Sequence, residues 1–92
     1  MTIRWTLTAS DDLEVVYAYI ARDNPDKAHA VLQRIDSAIE ALKRHPEMGR
    51  VGRRAGTREL VLAPYVLIYR VADPVVEILN IFHSARLWPR SS

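Results

Sequence analysis

Residues 56–86 read GTRELVLAPYVLIYRVADPVVEILNIFHSAR, and this stretch constrains the fold more than any other in the chain. Three runs rich in β-branched and aromatic residues, 57–63, 65–72 and 75–84, are separated by Pro64 and by Asp73-Pro74. Proline fixes φ and has no N–H to give to a ladder, so each break favours a turn and the stretch predicts an antiparallel meander. Both faces of these runs are apolar. Strict alternation puts Val76, Ile78 and Phe82 on one face of the last run and Val75, Leu79 and Ile81 on the other; the middle run divides into Val66 and Ile68 against Tyr65, Leu67, Tyr69 and Val71. A sheet wet on one side alternates apolar with polar instead, so each face here is expected to need a cover.

The residues before the meander supply one. Ile3, Trp5 and Leu7 alternate with Thr2, Arg4, Thr6 and Thr8, which predicts a short first strand. Thr8 and Asp11 have the spacing of a capping box, and Asp11, Asp12 and Glu14 suit the positive end of a helix dipole, so a helix is expected from there to about Asp23. Its apolar stripe is Leu13, Val16, Tyr17 and Ile20. Asn24-Pro25 restarts the helix, because Asn is a strong N-cap and Pro at the first position lacks only an N–H that would have had no partner. Ala28, Val31, Leu32, Ile35, Ile39 and Leu42 then form a second stripe, and His45-Pro46 ends it, with Gly49 as a left-handed exit.

The predicted fold is therefore α+β, in the order β-α-α-β-β-β, a helical hairpin packed on one face of a small, mainly antiparallel sheet. At 92 residues and 49% hydrophobic content the chain is expected to be a single domain, 1–92. Two helices pave only one face of such a sheet, so the other is expected to be covered by a partner, the alternative being that the loop 50–56 and the tail, with Met48, Leu87 and Trp88, fold over it. Trp5, Tyr17, Tyr65 and Tyr69 lie on apolar faces and are read as core.

Charge is unevenly distributed. Residues 1–42 hold four basic groups against seven acidic ones, whereas residues 43–58 hold Lys43, Arg44, Arg50, Arg53, Arg54 and Arg58 against Glu47 alone. This concentrates positive field just ahead of the meander, where residues 50–56 are expected to form an exposed, mobile loop, suited to an anionic partner. There is no cysteine, which excludes disulfides and thiolate metal sites and is compatible with a reducing cytosol. No window approaches the roughly 18 apolar residues of a membrane span, so a soluble, cytoplasmic chain with no membrane partner is expected. His29 and His45 have no carboxylate or cysteine at ligand spacing, and Gly49, Gly52 and Gly56 lack the Lys-Ser/Thr of a phosphate loop; neither a metal nor a cofactor is expected.

The capped Asp-Leu helix, the NP-x-x-A start of the second helix, HPEMGRVGRRAGTREL, PYVLIYRV and VVEILNIFHSARLWP together resemble the RelE/ParE superfamily of type II toxin–antitoxin toxins, over nearly the whole chain. The resemblance implies the β-α-α-β-β-β fold and a cognate antitoxin that covers the surplus apolar surface in a hetero-oligomer. It also implies one of two targets. RelE-like members cleave messenger RNA on the ribosome by acid/base chemistry; ParE-like members inhibit DNA gyrase. The nucleases commonly carry Arg after the first Tyr of the Y-x-L-x-Y strand, where this chain has Val66, and the HSARLWP ending replaces their Tyr-containing terminus. These departures place the chain closer to the ParE-like branch, with RelE-like nuclease as the alternative and a retained antitoxin-binding module as a third reading.

In a nuclease the catalytic candidates are His83, to take a 2′-hydroxyl proton, with Arg86 and Arg58 to stabilise the phosphorane. The plainer roles are a strand-end hydrogen bond for His83 and surface pairing with Glu59 or Glu77 for Arg58. Whether the target is gyrase or ribosomal RNA, the expected target contacts are Arg50, Arg53 and Arg54, with Trp88 as an aromatic anchor.

Overall fold

The computed structural model describes residues 1–84, and Arg86, Leu87 and Trp88 lie outside the described residues. β1 (Thr2–Trp5) leads into α1 (Leu7–Asp23) and α2 (Pro25–Arg44). Four strands follow, β2 (Arg50–Val51), β3 (Arg58–Leu62), β4 (Tyr65–Ala72) and β5 (Val75–His83). They form one sheet in the order β1-β5-β4-β3-β2, antiparallel except where β1 runs parallel to β5. The meander and both helices stand as expected, with the short β2 added inside the basic segment.

The start of α1 differs from expectation. Thr6, not Thr8, is the N-cap: its Oγ1 accepts from Ala9 N at 3.1 Å and itself donates to Ile78 O at 2.9 Å. The cap thus joins the helix to β5, and β1 stops at Trp5 because Thr6 turns the chain into α1. Leu7, expected on the strand, is 80% exposed on the first turn. Asp12, instead of serving the dipole, accepts from Ile81 N at 3.0 Å. β5 runs on past the end of β1, and Asp12 satisfies an amide on that uncovered edge. α2 follows expectation, with Asn24 Oδ1 accepting from Lys27 N at 3.1 Å.

The core lies between the helices and one sheet face. Ala9, Ile35, Ala38, Ile39 and Leu42 meet Leu60, Tyr65, Leu67, Tyr69, Val76, Ile78 and Ile81, with Trp5, Leu13, Val16 and Ile20 packed around them. Tyr17, expected in this core, is 41% exposed. Ile81 was expected to face away from Ile78. The β4–β5 register shifts between Ile68↔Asn80 and Tyr69↔Ile78, so Leu79 is an extra residue, a bulge that brings Ile81 onto the helix face and Phe82 onto the other.

That other face is not left wet at its centre. Val66 and Ile68 are 3% and 0% exposed, while Val61 at 49% remains open toward the β2 edge. The expected exit at Gly49 also has a different cause. Gly56 has a φ of 79°, and among the described residues no other glycine has positive φ. A Cβ at Gly49 would instead lie 2.7 Å from the Tyr69 hydroxyl oxygen and 2.9 Å from Glu59 O, so that position is small because two chain segments cross closely there.

Candidate functional site

The basic segment is a built hairpin rather than a mobile loop. β2 pairs with β3 through Arg50↔Glu59 and Val51↔Arg58, and the connection closes with Gly52 N donating to Thr57 O at 2.8 Å and Thr57 Oγ1 donating to Arg54 O at 2.7 Å. Glu59, only 2% exposed, lies on the face turned away from the helices. Its Oε1 accepts from Arg50 Nε at 3.1 Å and Nη2 at 2.8 Å; its Oε2 accepts from Arg53 N at 3.3 Å and faces Arg53 Nε at 3.5 Å. Burial alone would raise the Glu59 carboxyl, but the hydrogen bonds from Arg50 and the Arg53 amide, with both positive charges, hold it below its ordinary value. The expected target residues Arg50 and Arg53 are therefore brought together by one buried carboxylate, each with about half its side chain exposed.

A second set sits on the same face at the far side of the sheet. Glu77 of β5 pairs with Arg4 of β1 through Oε2, and its Oε1 accepts from Arg70 Nε at 3.3 Å and Nη2 at 2.8 Å. The Arg70 hydrogen bond is the largest influence holding the Glu77 carboxyl below its ordinary value; burial opposes it, and Arg4 adds to it. Sequence reasoning missed both arginines as site residues. The available signal was alternation: Arg70 is the polar residue after Val66 and Ile68 on their face, and Arg4 is polar between Ile3 and Trp5. The sheet face thus carries two arginine pairs, each centred on a buried glutamate, on either side of Val66 and Ile68.

The nuclease candidates are placed apart. Arg58 turns to the helix side and donates to Gly49 O at 2.8 Å and Glu47 O at 3.3 Å, pairing with neither Glu59 nor Glu77. His83, half-buried, meets Tyr65 edge to face with ring centroids 5.5 Å apart. β4 separates β3 from β5, so Arg58 is not on the strand next to His83. Arg58 pairs with Tyr69 and His83 with Tyr65, positions about 13 Å apart along the strand. Among the described residues no group of His, Cys, Asp and Glu has the geometry of a metal site.

The model of the family described as "ParE toxin of type II toxin-antitoxin system, parDE" matches residues 3–88. The chain belongs to the ParE toxin family. It is a toxin of a type II toxin–antitoxin system. It is 48% identical over 90 residues to Y4kP of Sinorhizobium fredii, covering 96% of this chain and 93% of the relative. It is 42% identical over 84 residues to toxin RelE2 of Caulobacter vibrioides, covering 90% and 94%. Among solved structures it resembles a chain of the chromosomal ParDE system from P. aeruginosa, with a TM-score of 0.79, 28% identity and coverage of 90% and 95%. It also resembles a chain of the RelBE2 toxin–antitoxin complex from Mycobacterium tuberculosis, with a TM-score of 0.63, 32% identity and coverage of 89% and 95%. Among the described residues no helix of the toxin is long and apolar enough to cross a membrane.

Proposed function

We propose that the toxin, acting as one domain, arrests growth in the cytoplasm by binding and poisoning DNA gyrase, and that it does so without chemistry of its own. The observation that carries this reading is the state of its cations. Arg50, Arg53, Arg4 and Arg70 are held as carboxylate-centred pairs on one face, and Arg58 is committed to backbone carbonyls away from His83. Such an arrangement suits recognition of an anionic surface better than proton transfer, which needs a base within hydrogen-bond reach of its proton. In this reading Arg50, Arg53 and Arg54 contact the target together with Trp88. A supercoiling assay tests it: purified toxin should suppress gyrase supercoiling and trap a cleavage complex, and unimpaired supercoiling without a trapped complex would count decisively against it.

The identity to toxin RelE2 and the likeness to RelBE2 favour a second reading, ribosome-dependent cleavage of messenger RNA. Its mark would be cleavage on translating ribosomes that is lost in His83→Ala with Arg86→Ala.

A cognate antitoxin is the natural partner, since both structural neighbours come from toxin–antitoxin systems. An antitoxin helix with an apolar face would find the outer side of α1, where Leu7, Val15 and Tyr19 are 80%, 66% and 67% exposed. About 800 Å² buried per partner is the usual size of a stable interface.

A further inference from the structure

We propose that Arg4, Glu77 and Arg70 form an anion site of their own, which holds a phosphodiester of a nucleic-acid backbone against the sheet at a point remote from the 50–58 hairpin. The three residues sit on adjacent strands, β1, β5 and β4, and their register makes them a row across the sheet: Arg4↔Glu77 and Arg70↔Glu77. Two interstrand spacings put the arginine Cα atoms about 9.5 Å apart, and both heads are drawn inward to opposite oxygens of one carboxylate. Glu77 neutralises one of the two positive charges and fixes both guanidinium groups, so less side-chain freedom is lost when an anion arrives.

The donor count identifies what arrives. A guanidinium has five N–H donors. Arg70 commits Nε and one Nη2 hydrogen to Glu77, and Arg4 commits one Nη2 hydrogen. Arg4 and Arg70 keep side-chain exposures of 68% and 51% beside a Glu77 side chain at 10%, so the remaining donors belong to exposed side chains next to a shielded carboxylate. Two neighbouring exposed guanidinium groups match an anion whose oxygens point in several directions, as a phosphate's do. Ala72, beside Arg70 on this face, is small and exposed, so the sheet offers a bound peptide little apolar anchorage next to the arginines. Backbone phosphates need none, because they are gripped by exposed cations without reading sequence.

The second arginine pair extends the same face. Arg4 on β1 and Arg50 on β2 are four interstrand spacings apart, about 19 Å. The two pairs give one face two separate cation sites for a polyanion. The site thereby deepens the gyrase reading, whose substrate is duplex DNA, although its own test does not require that reading.

The test uses the full chain and fluorescence anisotropy with a 20-base-pair duplex over a salt series. On a duplex, each lost phosphate contact reduces the slope of log affinity against log salt by about 0.9. Arg4→Gln and Arg70→Gln should each lower the slope by about that amount, and Glu77→Gln, which removes the negative charge while keeping the side chain's shape, should tighten binding. Arg22→Gln, at the end of α1 and off this face, should leave the slope unchanged. Among the described residues the Arg4 side chain has one polar partner, Glu77, so Arg4→Gln, with an unchanged melting temperature, carries the test if Arg70→Gln or Glu77→Gln fails to fold. An unchanged slope in Arg4→Gln overturns the proposal, as does an equal loss in Arg22→Gln. A poly-glutamate peptide that binds more tightly than the duplex at the same salt overturns the phosphate assignment. Single-stranded RNA in a parallel arm distinguishes the source of the phosphate: preference for the duplex fits gyrase-held DNA, and preference for RNA fits the ribosomal target. Triad-dependent duplex binding with unimpaired supercoiling would refute the gyrase reading and leave this site standing.

Discussion

The Tyr69 hydroxyl is buried where β4 meets the segment after α2, donating to Pro46 O at 2.6 Å and accepting from Gly49 N at 2.9 Å. Burial raises its pKa above the ordinary 10.0, so it stays a proton donor throughout the physiological range. Tyr69→Phe would leave a buried N–H and a carbonyl without their partner, and should cost about 1–3 kcal/mol in a denaturant titration. Gly49→Ala should cost a similar amount, about 1–3 kcal/mol, because the new Cβ meets Tyr69 and the Glu59 backbone below contact distance. Glu59 adds a pH dependence whose direction follows from its lowered pKa. A carboxyl whose folded pKa is depressed contributes stability that is fully present above the unfolded value, 4.5, and lost as pH falls through the folded value. The melting temperature should therefore fall as pH is taken below about 4.5, and Glu59→Gln should flatten that fall. An equally steep acid limb in the variant would assign the loss to other carboxylates.

At the scale of elements, the junction of α1 with β5 is made by polar groups as well as by packing. Thr6 caps α1 and bonds to Ile78 O, and Asp12 reaches Ile81 N beyond the end of β1. Asp12→Ala would strip the acceptor from an amide on the uncovered part of β5, and the expected cost is about 1–3 kcal/mol. Hydrogen exchange should localise it, with faster exchange at Ile81 than at Leu67 in the same variant. A uniform change along β4 and β5 would mean that the whole sheet opens as one unit. The hairpin of β2 with β3 follows the same logic. Arg53→Ala keeps the backbone N–H bond to Glu59 and removes the 3.5 Å side-chain pair, so it should lower the melting temperature slightly, by less than about 1 kcal/mol of stability, whereas Arg50→Ala, which removes two hydrogen bonds to the buried Glu59, should lower it more.

For the molecule as a whole, the helices close one sheet face, and the other is closed at Val66 and Ile68 and framed by paired arginines. The apolar surface still open lies mainly on α1, at Leu7, Val15 and Tyr19, and at Val51 and Val61 near the β2 edge. A partner that binds only the folded chain raises its stability by mass action, by about 2.7 kcal/mol at a free concentration 100 times the Kd. Co-purified antitoxin should raise the melting temperature accordingly. Equal heat stability with and without it would mean that the folded toxin does not bind it preferentially.

Much of this architecture was legible in the sequence because it rests on local physics. Pro64 and Asp73-Pro74 cut the meander, Asn24-Pro25 started α2, and the Ile35–Ile39–Leu42 spacing marked its buried face. Each of these signals acts within a few residues, so no knowledge of the rest of the chain was needed. The N-cap passed from Thr8 to Thr6 because Thr6 alone also reaches Ile78, 72 residues away. Phe82 and Ile81 exchanged faces because the bulge at Leu79 exists only in the pairing with β4. The basic segment became an ordered hairpin because Glu59 is buried beneath it, and Arg4 and Arg70 joined into a site because Glu77 lies between them on β5, 73 residues from Arg4 in the chain. Local propensity and periodicity determined which elements exist, whereas long-range pairing decided which charges meet, because a carboxylate and a guanidinium interact through space and their separation is set only when the strands find their register.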